Sequence, residues 1–560
     1  MYDEGIKGLT ISSVLWKLFE KGGRAVVELT VQIVMARLLA PEEFGALAIM
    51  LVLVNVGNVI VTSGFNTALV QAKEVEDESL STVFWISFGV SVLLFLCVFF
   101  AAPFVAEFYA LSEITWPFRA LGFLLIVTSY NSIQVAIVQR ELQLRKVFNA
   151  TLAAVAFSGV VGIASAFAGA GLWALVIQQL LYQLANCVVL GAQVRWRPRF
   201  MFSLKRAKEL FSFGWKLLVS GLLEQGYQSL SDLIIGKQFS ATSLGFVSQG
   251  KKYPAALGSM LDGAIQPVML SAVARVQDDV SYVKRLVRRA LKTSTFLIVP
   301  SMALFAVAAE PIVRLLLGEK WLVSVPFLQM YCFMYALLPI HTTNLQALNG
   351  MGRSDLFLKL EFIKKGYGIF FILFCAFVLQ DVYLMVASYM TSGVISTFVN
   401  AYPNKKVIGY SYLEQIRDIC PAFGLALAAG AVAYPICFAA LPDIVTILLQ
   451  AVVFMAVYLL LAKLFKVEEF TYLLDTTEEI LASYKGRVKS GGASAGDAVA
   501  GKDAMQDDDK SVETADSLGF SENSPEPSTC AGSHVAKGTL KPSSATAIAT
   551  SPSPKHLKKS

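Results

Sequence analysis

The sequence is poor in the residues on which catalytic and metal sites are usually built. It has three histidines in 560 residues, His341, His534 and His556, too scattered for a paired base or an imidazole cluster. Its seven cysteines form no C-x-x-C pair, and six of them (Cys97, Cys187, Cys332, Cys375, Cys420 and Cys437) fall in apolar stretches. They read as small core hydrophobes rather than a disulfide frame or a metal site. No catalytic constellation, metal or cofactor is expected. Charge is scarce too: 16% of residues, against about 25% in a soluble domain. The opening residues MYDEGIKGLTISS lack a basic stretch feeding a short apolar run, so no cleavable signal peptide is expected and the first span should direct insertion.

What the sequence has instead is apolar length. Hydrophobic residues make up 55% of it, and the mean hydropathy is +0.59. Lipid solvates such a surface and water does not. Long apolar segments lie at about residues 9–36, 45–70, 82–104, 117–139, 147–168, 172–194, 211–236, 243–271, 293–309, 323–350, 360–380, 382–402, 418–440 and 444–462. Pro41, Gly169 with Gly171, Pro198, Gly352 and Pro442 punctuate them. The pattern predicts an all-α polytopic membrane protein of about fourteen transmembrane helices. After about residue 486 the chain turns small, polar and Pro/Ser-rich, and that tail is expected to be disordered.

Loop charge signs the topology. With the N-terminus inside, inner loops and flanks hold about 24 Lys and Arg, and outer loops hold four, Arg37, Lys237, Arg314 and Lys320. Both termini should therefore be cytoplasmic. No outer loop exceeds about a dozen residues, which leaves no room for the extramembrane catalytic loop that a membrane glycosyltransferase or ligase would need.

An internal repeat is visible. ARLLAPEEFGALA (36–48) lines up with GKQFSATSLGFVS (236–248), placing Arg37 on Lys237 and Gly45 on Gly245, an offset of 200 residues (237 − 37). SIQVAIVQRE (132–141) lies over NLQALNGMGR (344–353). Six helices is an even number, so the second copy enters with the orientation of the first. Parallel repeats of that kind imply two similar bundles with a site between them.

Charges inside spans mark where that site should be, because an ionisable group at mid-bilayer faces protein or water. On the first helix Lys17, Lys21, Arg24 and Glu28 fall within a sector of about 60°, beside Glu20, with Gln32 extending the stripe. Glu20 to Arg24 and Arg24 to Glu28 are also four-residue spacings, so local pairing stands as the alternative to lining a cavity. The seventh helix carries Glu224, Gln225, Gln228 and Asp232. The eighth carries Lys251, Lys252, Ser259, Asp262 and Gln266 around Pro254 and Pro267. Lys364 and Lys365 lie in the eleventh. Lys17, Lys21, Arg24, Lys251, Lys252 and Lys364 are thus the candidate cations for a phosphate-bearing substrate. Glu28, Glu224, Asp232 and Asp262 are candidates for ion coupling or charge balance. His341, after Pro339, reads as a core histidine.

The order and spacing of ARLLAPEEFG (36–45), LVQAKEVEDESLSTVFW (69–85), QRELQLRKVF (139–148), ARVQDD (274–279) and GEKW followed by PFLQMYC (318–332) carry a resemblance. The chain resembles the polysaccharide exporters of the multidrug/oligosaccharidyl-lipid/polysaccharide superfamily, close to the colanic-acid and lipopolysaccharide flippases of the Wzx type, over roughly residues 5–470. That resemblance implies a MATE-like lobe over 1–208, a second six-helix lobe over 209–410, two extra C-terminal helices over 411–485, and a tail over 486–560 to which nothing carries over. It implies alternating access around a cationic lumen and a repeat-unit oligosaccharide on undecaprenyl pyrophosphate as substrate, in the bacterial inner membrane. The expected partners are that lipid-linked oligosaccharide, membrane lipid, and a polysaccharide polymerase with glycosyltransferases, and no nucleic acid. A MATE-like cation-coupled antiporter for drugs or metabolites is the alternative; it predicts a smaller, more acidic cavity. An enzyme is not expected.

Sidedness is directly testable. On a cysteine-free background, an impermeant thiol reagent applied outside intact cells should label a cysteine at Glu319 and not one at Ser203. The reverse pattern overturns the orientation.

Overall fold

Prolines, capping residues and glycines set where the helices begin and turn. The computed structural model describes residues 26–62, 69, 76–141 and 143–471, and among these it contains helices and no strand. Helix α1 covers residues 26–38. Pro41 opens α2 (Pro41–Thr62), where its missing N–H costs nothing, and Glu42 and Glu43 put negative charge at the helix's positive end. Next come α3 (Asp77–Phe108), α4 (Thr115–Arg140), α5 (Leu144–Phe167) and α6 (Leu172–Val194). The α5–α6 turn uses Gly169 and Gly171 at φ +78° and +55°, a region glycine enters without strain.

The second half repeats the style. It comprises α7 (Leu204–Gln238), α8 (Ala241–Arg275), α9 (Val280–Val307), the short α10 (Ala309–Leu316), α11 (Val325–Ala336), α12 (Leu338–Gly350), α13 (Ser354–Phe374) and α14 (Val382–Ala401). A one-turn α15 (Asn404–Val407), then α16 (Tyr412–Ala433) and α17 (Asp443–Leu464), complete it. Ser240 caps α8 by accepting from Ser243 N at 3.0 Å, and Ser411 with Glu414 forms a reciprocal capping box on α16.

Twelve helical stretches among the described residues are long and apolar enough to cross a membrane. The first expected span, 9–36, enters the described residues only at residue 26. The seventh is a continuous helix, α7, that is too polar to count among the twelve. α17 shows how such a helix divides its faces. Gln450, Phe454, Tyr458 and Ala462, four residues apart, are buried, while Leu448, Val452, Leu460 and Leu464 are more than 60% exposed. An apolar stripe left bare opposite a packed one is a surface made for acyl chains.

α3 packs on α4, α5 on α6, and α4 on α6; in the other half, α8 packs on α11 and α12, and α13 on α14. The halves meet where α2 crosses α8 and α7. Two glycines make the crossing possible. A Cβ on Gly45 would collide with the carbonyl of Ala241, and one on Gly245 with the carbonyl of Pro41. These are the same pair of positions exchanged at the offset of 200 residues, so the two halves touch here through equivalent backbone.

Two expectations from sequence are corrected. The ninth helix begins at Val280, not near 293, so the run KRLVRRALK (284–292) is helical. Its charges are met from α16 and the turn beyond α17. Lys284 pairs with Glu414 at 3.2 Å, and Lys292 pairs with Glu468 and Glu469 at 2.7 Å each. Arg288 grips Asp418 through two hydrogen bonds of 2.7 Å. The Lys292 ammonium holds the Glu468 carboxyl below its ordinary value. The tenth segment, expected unbroken over 323–350, divides at Leu337, where Pro339 starts a new helix. A buried amide network then ties α12, α15 and α16: Asn344 Nδ2 donates to Gln415 Oε1 at 2.8 Å, and Asn404 Nδ2 to Asn344 Oδ1 at 2.6 Å.

Asp418 is the most tightly held of these carboxylates, its side chain 5% exposed and also accepting from the Tyr410 hydroxyl at 2.7 Å. Asp418→Ala should destabilise the protein by about 2 kcal/mol, less than the loss of a fully buried pair because Arg288 is half exposed. Thermal denaturation in detergent should show a lowered midpoint; an unchanged midpoint would mean that the pair contributes nothing.

Candidate functional site

The polar groups of the second half gather where α7 faces α8 and α13. α7 crosses this region as an amphipathic helix, and its carboxylates sit on the side turned to cations of its neighbours. Glu224 accepts from Lys365 of α13 at 2.6 Å and from Gln228 Nε2, one turn on, at 2.7 Å. Lys364 also lies within electrostatic reach of Glu224, and its ammonium bonds Glu361 one turn earlier on α13. Tyr227 packs so closely on α13 that a Cβ on Gly368 would strike its hydroxyl. Beside it the Tyr367 hydroxyl hydrogen-bonds Ser396 of α14 at 2.5 Å.

Nearer the crossing of α2 and α8, the partners change. Asp232 of α7 lies within electrostatic reach of Lys251 and near the phenols of Tyr331 and Tyr389. Lys252 lies within electrostatic reach of Glu28 on α1. Both lysines are half-buried. Among the described residues neither makes a hydrogen bond or an ion pair of 4 Å or less. Two lysines adjacent in sequence are thus half-buried with their acids at a distance and their donors unspent.

The sequence-expected residues therefore divide. Glu224 and Lys364 come together around Lys365 and Glu361, and Asp232 approaches Lys251. Glu28 approaches Lys252. Asp262, farther along α8, stands apart and accepts from the Thr342 hydroxyl of α12. His341 Nδ1 meets the Asn400 amide at 3.1 Å, a partnered core histidine. Lys17, Lys21 and Arg24 lie outside the described residues. Sequence reasoning missed Glu361, Tyr227 and Tyr367. Glu361 was detectable from its three-residue spacing to Lys364; the tyrosines carried no signal that separates them from other membrane aromatics. A separate cavity of about 630 Å³, lined by Lys292, Arg417, Asp418, Leu425, Leu461 and Phe465 between α9, α16 and α17, holds none of the expected site residues. Among the described residues no group of His, Cys, Asp and Glu could hold a metal ion.

The profile of the family described as "Polysaccharide biosynthesis protein" matches residues 34–326, just over half of the chain. The chain belongs to this family. Among curated relatives, the succinoglycan biosynthesis transport protein ExoT of Rhizobium meliloti is 24% identical over 61% of this chain and 69% of its own. The lipopolysaccharide biosynthesis protein WzxC of Escherichia coli is 23% identical over 76% of this chain and 87% of its own. Among solved structures, the lipid II flippase MurJ in an inward closed conformation superposes with a TM-score of 0.66 at 13% identity, over 81% of this chain and 99% of that one. That likeness establishes the fold, an all-helical one shared with MurJ. In this polysaccharide biosynthesis protein the matched stretch runs through α7 and α8, so it includes Lys251, Lys252 and Asp232, while Glu28 precedes it.

The site is a set of charged side chains from α1, α7, α8 and α13. Carboxylate–lysine pairs across α7 and α13 keep most ionisable groups compensated inside the bundle, which is the condition for burying them. Among the described residues, Lys251 and Lys252 make no hydrogen bond or close ion pair.

Proposed function

We propose that this protein is a flippase that carries oligosaccharide repeat units linked to undecaprenyl pyrophosphate across the bacterial inner membrane by alternating access, for the synthesis of a surface polysaccharide. The observation that carries the reading is the pair Lys251 and Lys252: half-buried, adjacent, and without a direct acid partner among the described residues, on a helix within the family match. A pyrophosphate presents several acceptor oxygens to such ammonium groups, and the low-polarity surroundings strengthen the attraction. Curated relatives named as transport or biosynthesis proteins for succinoglycan and lipopolysaccharide support the substrate class.

In this reading Lys17, Lys21, Arg24 and Lys364 belong to the same cationic lumen. Glu28, Glu224, Asp232 and Asp262 balance it or couple it to an ion. The lobes span 1–208 and 209–410, α16 and α17 belong to the addition over 411–485, and both termini are cytoplasmic. Glycosyltransferases supply the substrate on the inner face and a polymerase consumes it on the outer one. A cation-coupled antiporter of MATE type would want acids facing a small cationic solute; here Glu224 is taken up by Lys365, and Asp232, which has no direct partner among the described residues, faces Lys251. The protein acts by translocation rather than as an enzyme.

The test separates substrate binding from charge balance. Lys251→Gln should lower surface polymer in the native host by about ten- to a hundredfold, the value of a charge-assisted hydrogen bond to phosphate, with protein abundance unchanged. If Lys251 only offsets Asp232, adding Asp232→Asn should restore export. Under the flippase reading the double variant remains defective, and recovery removes Lys251 from the substrate site.

A further inference from the structure

The four basic residues that break the loop-charge asymmetry have partners, and three of them reach across the seam between the halves. Arg37, in the last turn of α1, donates from Nε to the Leu316 carbonyl at 2.8 Å and from a terminal nitrogen to the Leu315 carbonyl. Leu315 and Leu316 are the last two residues of α10. Lys237, its repeat counterpart at the end of α7, donates to the carbonyl of Phe108, the last residue of α3. Its ammonium also lies 4.3 Å from the centre of the Phe108 ring. Lys320, just beyond α10, returns the contact by donating to the carbonyls of Arg37 at 2.9 Å and Leu39 at 2.7 Å. The fourth, Arg314, pairs within its own half with Glu310 and Asp443.

A helix C-terminus leaves its last carbonyls without intrahelical donors and carries partial negative charge. Here three such ends, of α1, α3 and α10, are capped by a cation from the opposite half. Trp321 reinforces the seam, its buried indole N–H donating to the Ala36 carbonyl at 2.8 Å and its ring edge-on to Phe44 and Phe246. The geometry is possible because Gly45 and Gly245 let α2 and α8 meet backbone to backbone.

We infer that Arg37 and Lys237, with Lys320, form a latch that holds this end of the transporter closed by capping helix ends across the two halves, and that opening the end releases all three caps. The inference rests on the flippase reading for its place in the cycle, and on the proposed orientation for its assignment to the periplasmic side. Among the described residues the latch cations make no ion pair of 4 Å or less; Glu43 of α2 lies only within electrostatic reach of Lys320. Cation-to-carbonyl bonds at an exposed rim hold more weakly than buried ion pairs, which suits a contact that must break in every cycle. It also explains why cations are tolerated on the side where the loops otherwise exclude them.

The experiment follows a reporter cysteine at Ser248, half-buried one turn inside the Gly245 contact, in full-length protein on a cysteine-free background. Arg37→Ala with Lys237→Ala should speed its labelling by an impermeant thiol reagent from outside by about tenfold or more, the scale on which loss of charge-assisted hydrogen bonds shifts a two-state equilibrium. The exchange Arg37→Lys with Lys237→Arg keeps both charges and donors and should label at the parent rate. If the double alanine variant does not accumulate, Lys237→Ala alone, at an exposed site, should still raise the rate severalfold. Parent-like labelling of a well-folded alanine variant from both membrane faces overturns the latch, and so does an exchange variant that behaves like the alanine one. Acceleration seen only in inverted vesicles keeps the latch and overturns the orientation. Labelling requires no polysaccharide substrate, so the result is independent of whether export of a lipid-linked oligosaccharide is the function.

Discussion

Two glycines two hundred residues apart let the halves of this protein approach more closely than any side chain would allow, and the other cross-half contacts depend on that approach. With Gly45 against the Ala241 carbonyl and Gly245 against that of Pro41, the ends of α1, α3 and α10 come within reach of cations from the facing half. Any larger residue at either position would force α2 and α8 apart by about a methyl group's width, and the bonds of Arg37, Lys237 and Lys320 to backbone carbonyls would lengthen beyond use. Away from that crossing the halves share fewer contacts, and the polar faces of α7 and α8 are left to the interior.

Charge inside the bundle obeys a second constraint: an ionisable group buried in lipid-solvated protein needs a counter-charge or a polar exit. Most of the carboxylates meet it locally. Glu224 has Lys365, Asp418 has Arg288, Glu361 has Lys364, and Asp262 has a threonine hydroxyl. Once these are satisfied, Lys251 and Lys252 stand out through what they have not used. A transporter for a pyrophosphate-linked substrate needs a polar interior that is compensated when empty yet retains donors. On the proposed reading, the spacing of acids from these two lysines answers both demands.

The apolar runs and their turns were legible in sequence because each is local: Gly169, Gly171, Gly352 and Pro442 mark boundaries that the helices respect. The Arg37–Lys237 and Gly45–Gly245 equivalence was legible as well, since a repeat writes the same signal twice. What sequence could not supply was any partner at long range. Arg37 and the carbonyl it caps are 279 residues apart, and a carbonyl has no identity in sequence. Lys365 and Glu224 are 141 apart, so Lys365 read only as a charge in the eleventh segment. The basic start of α9 read as a loop for the same reason: the acids that neutralise it lie on α16 and beyond α17. The candidate site was readable as a set of charged faces, and its pairing was not.

Loop charge and latch then become one argument about energy. The asymmetry of lysine and arginine orients the helices during insertion, so every cation on the opposite face works against that signal. Arg37, Lys237 and Lys320 persist there because each meets a helix end that would otherwise expose bare carbonyls at the seam. Glu43 comes only within electrostatic reach of Lys320, whereas a carboxylate in direct contact with each of them would have bound more strongly. It would also have deepened the closed state and slowed every opening. Carbonyl caps hold the end shut through several weak bonds made together, and they leave three cations free when the end opens. On the proposed orientation those cations would then line the rim past which an anionic headgroup leaves.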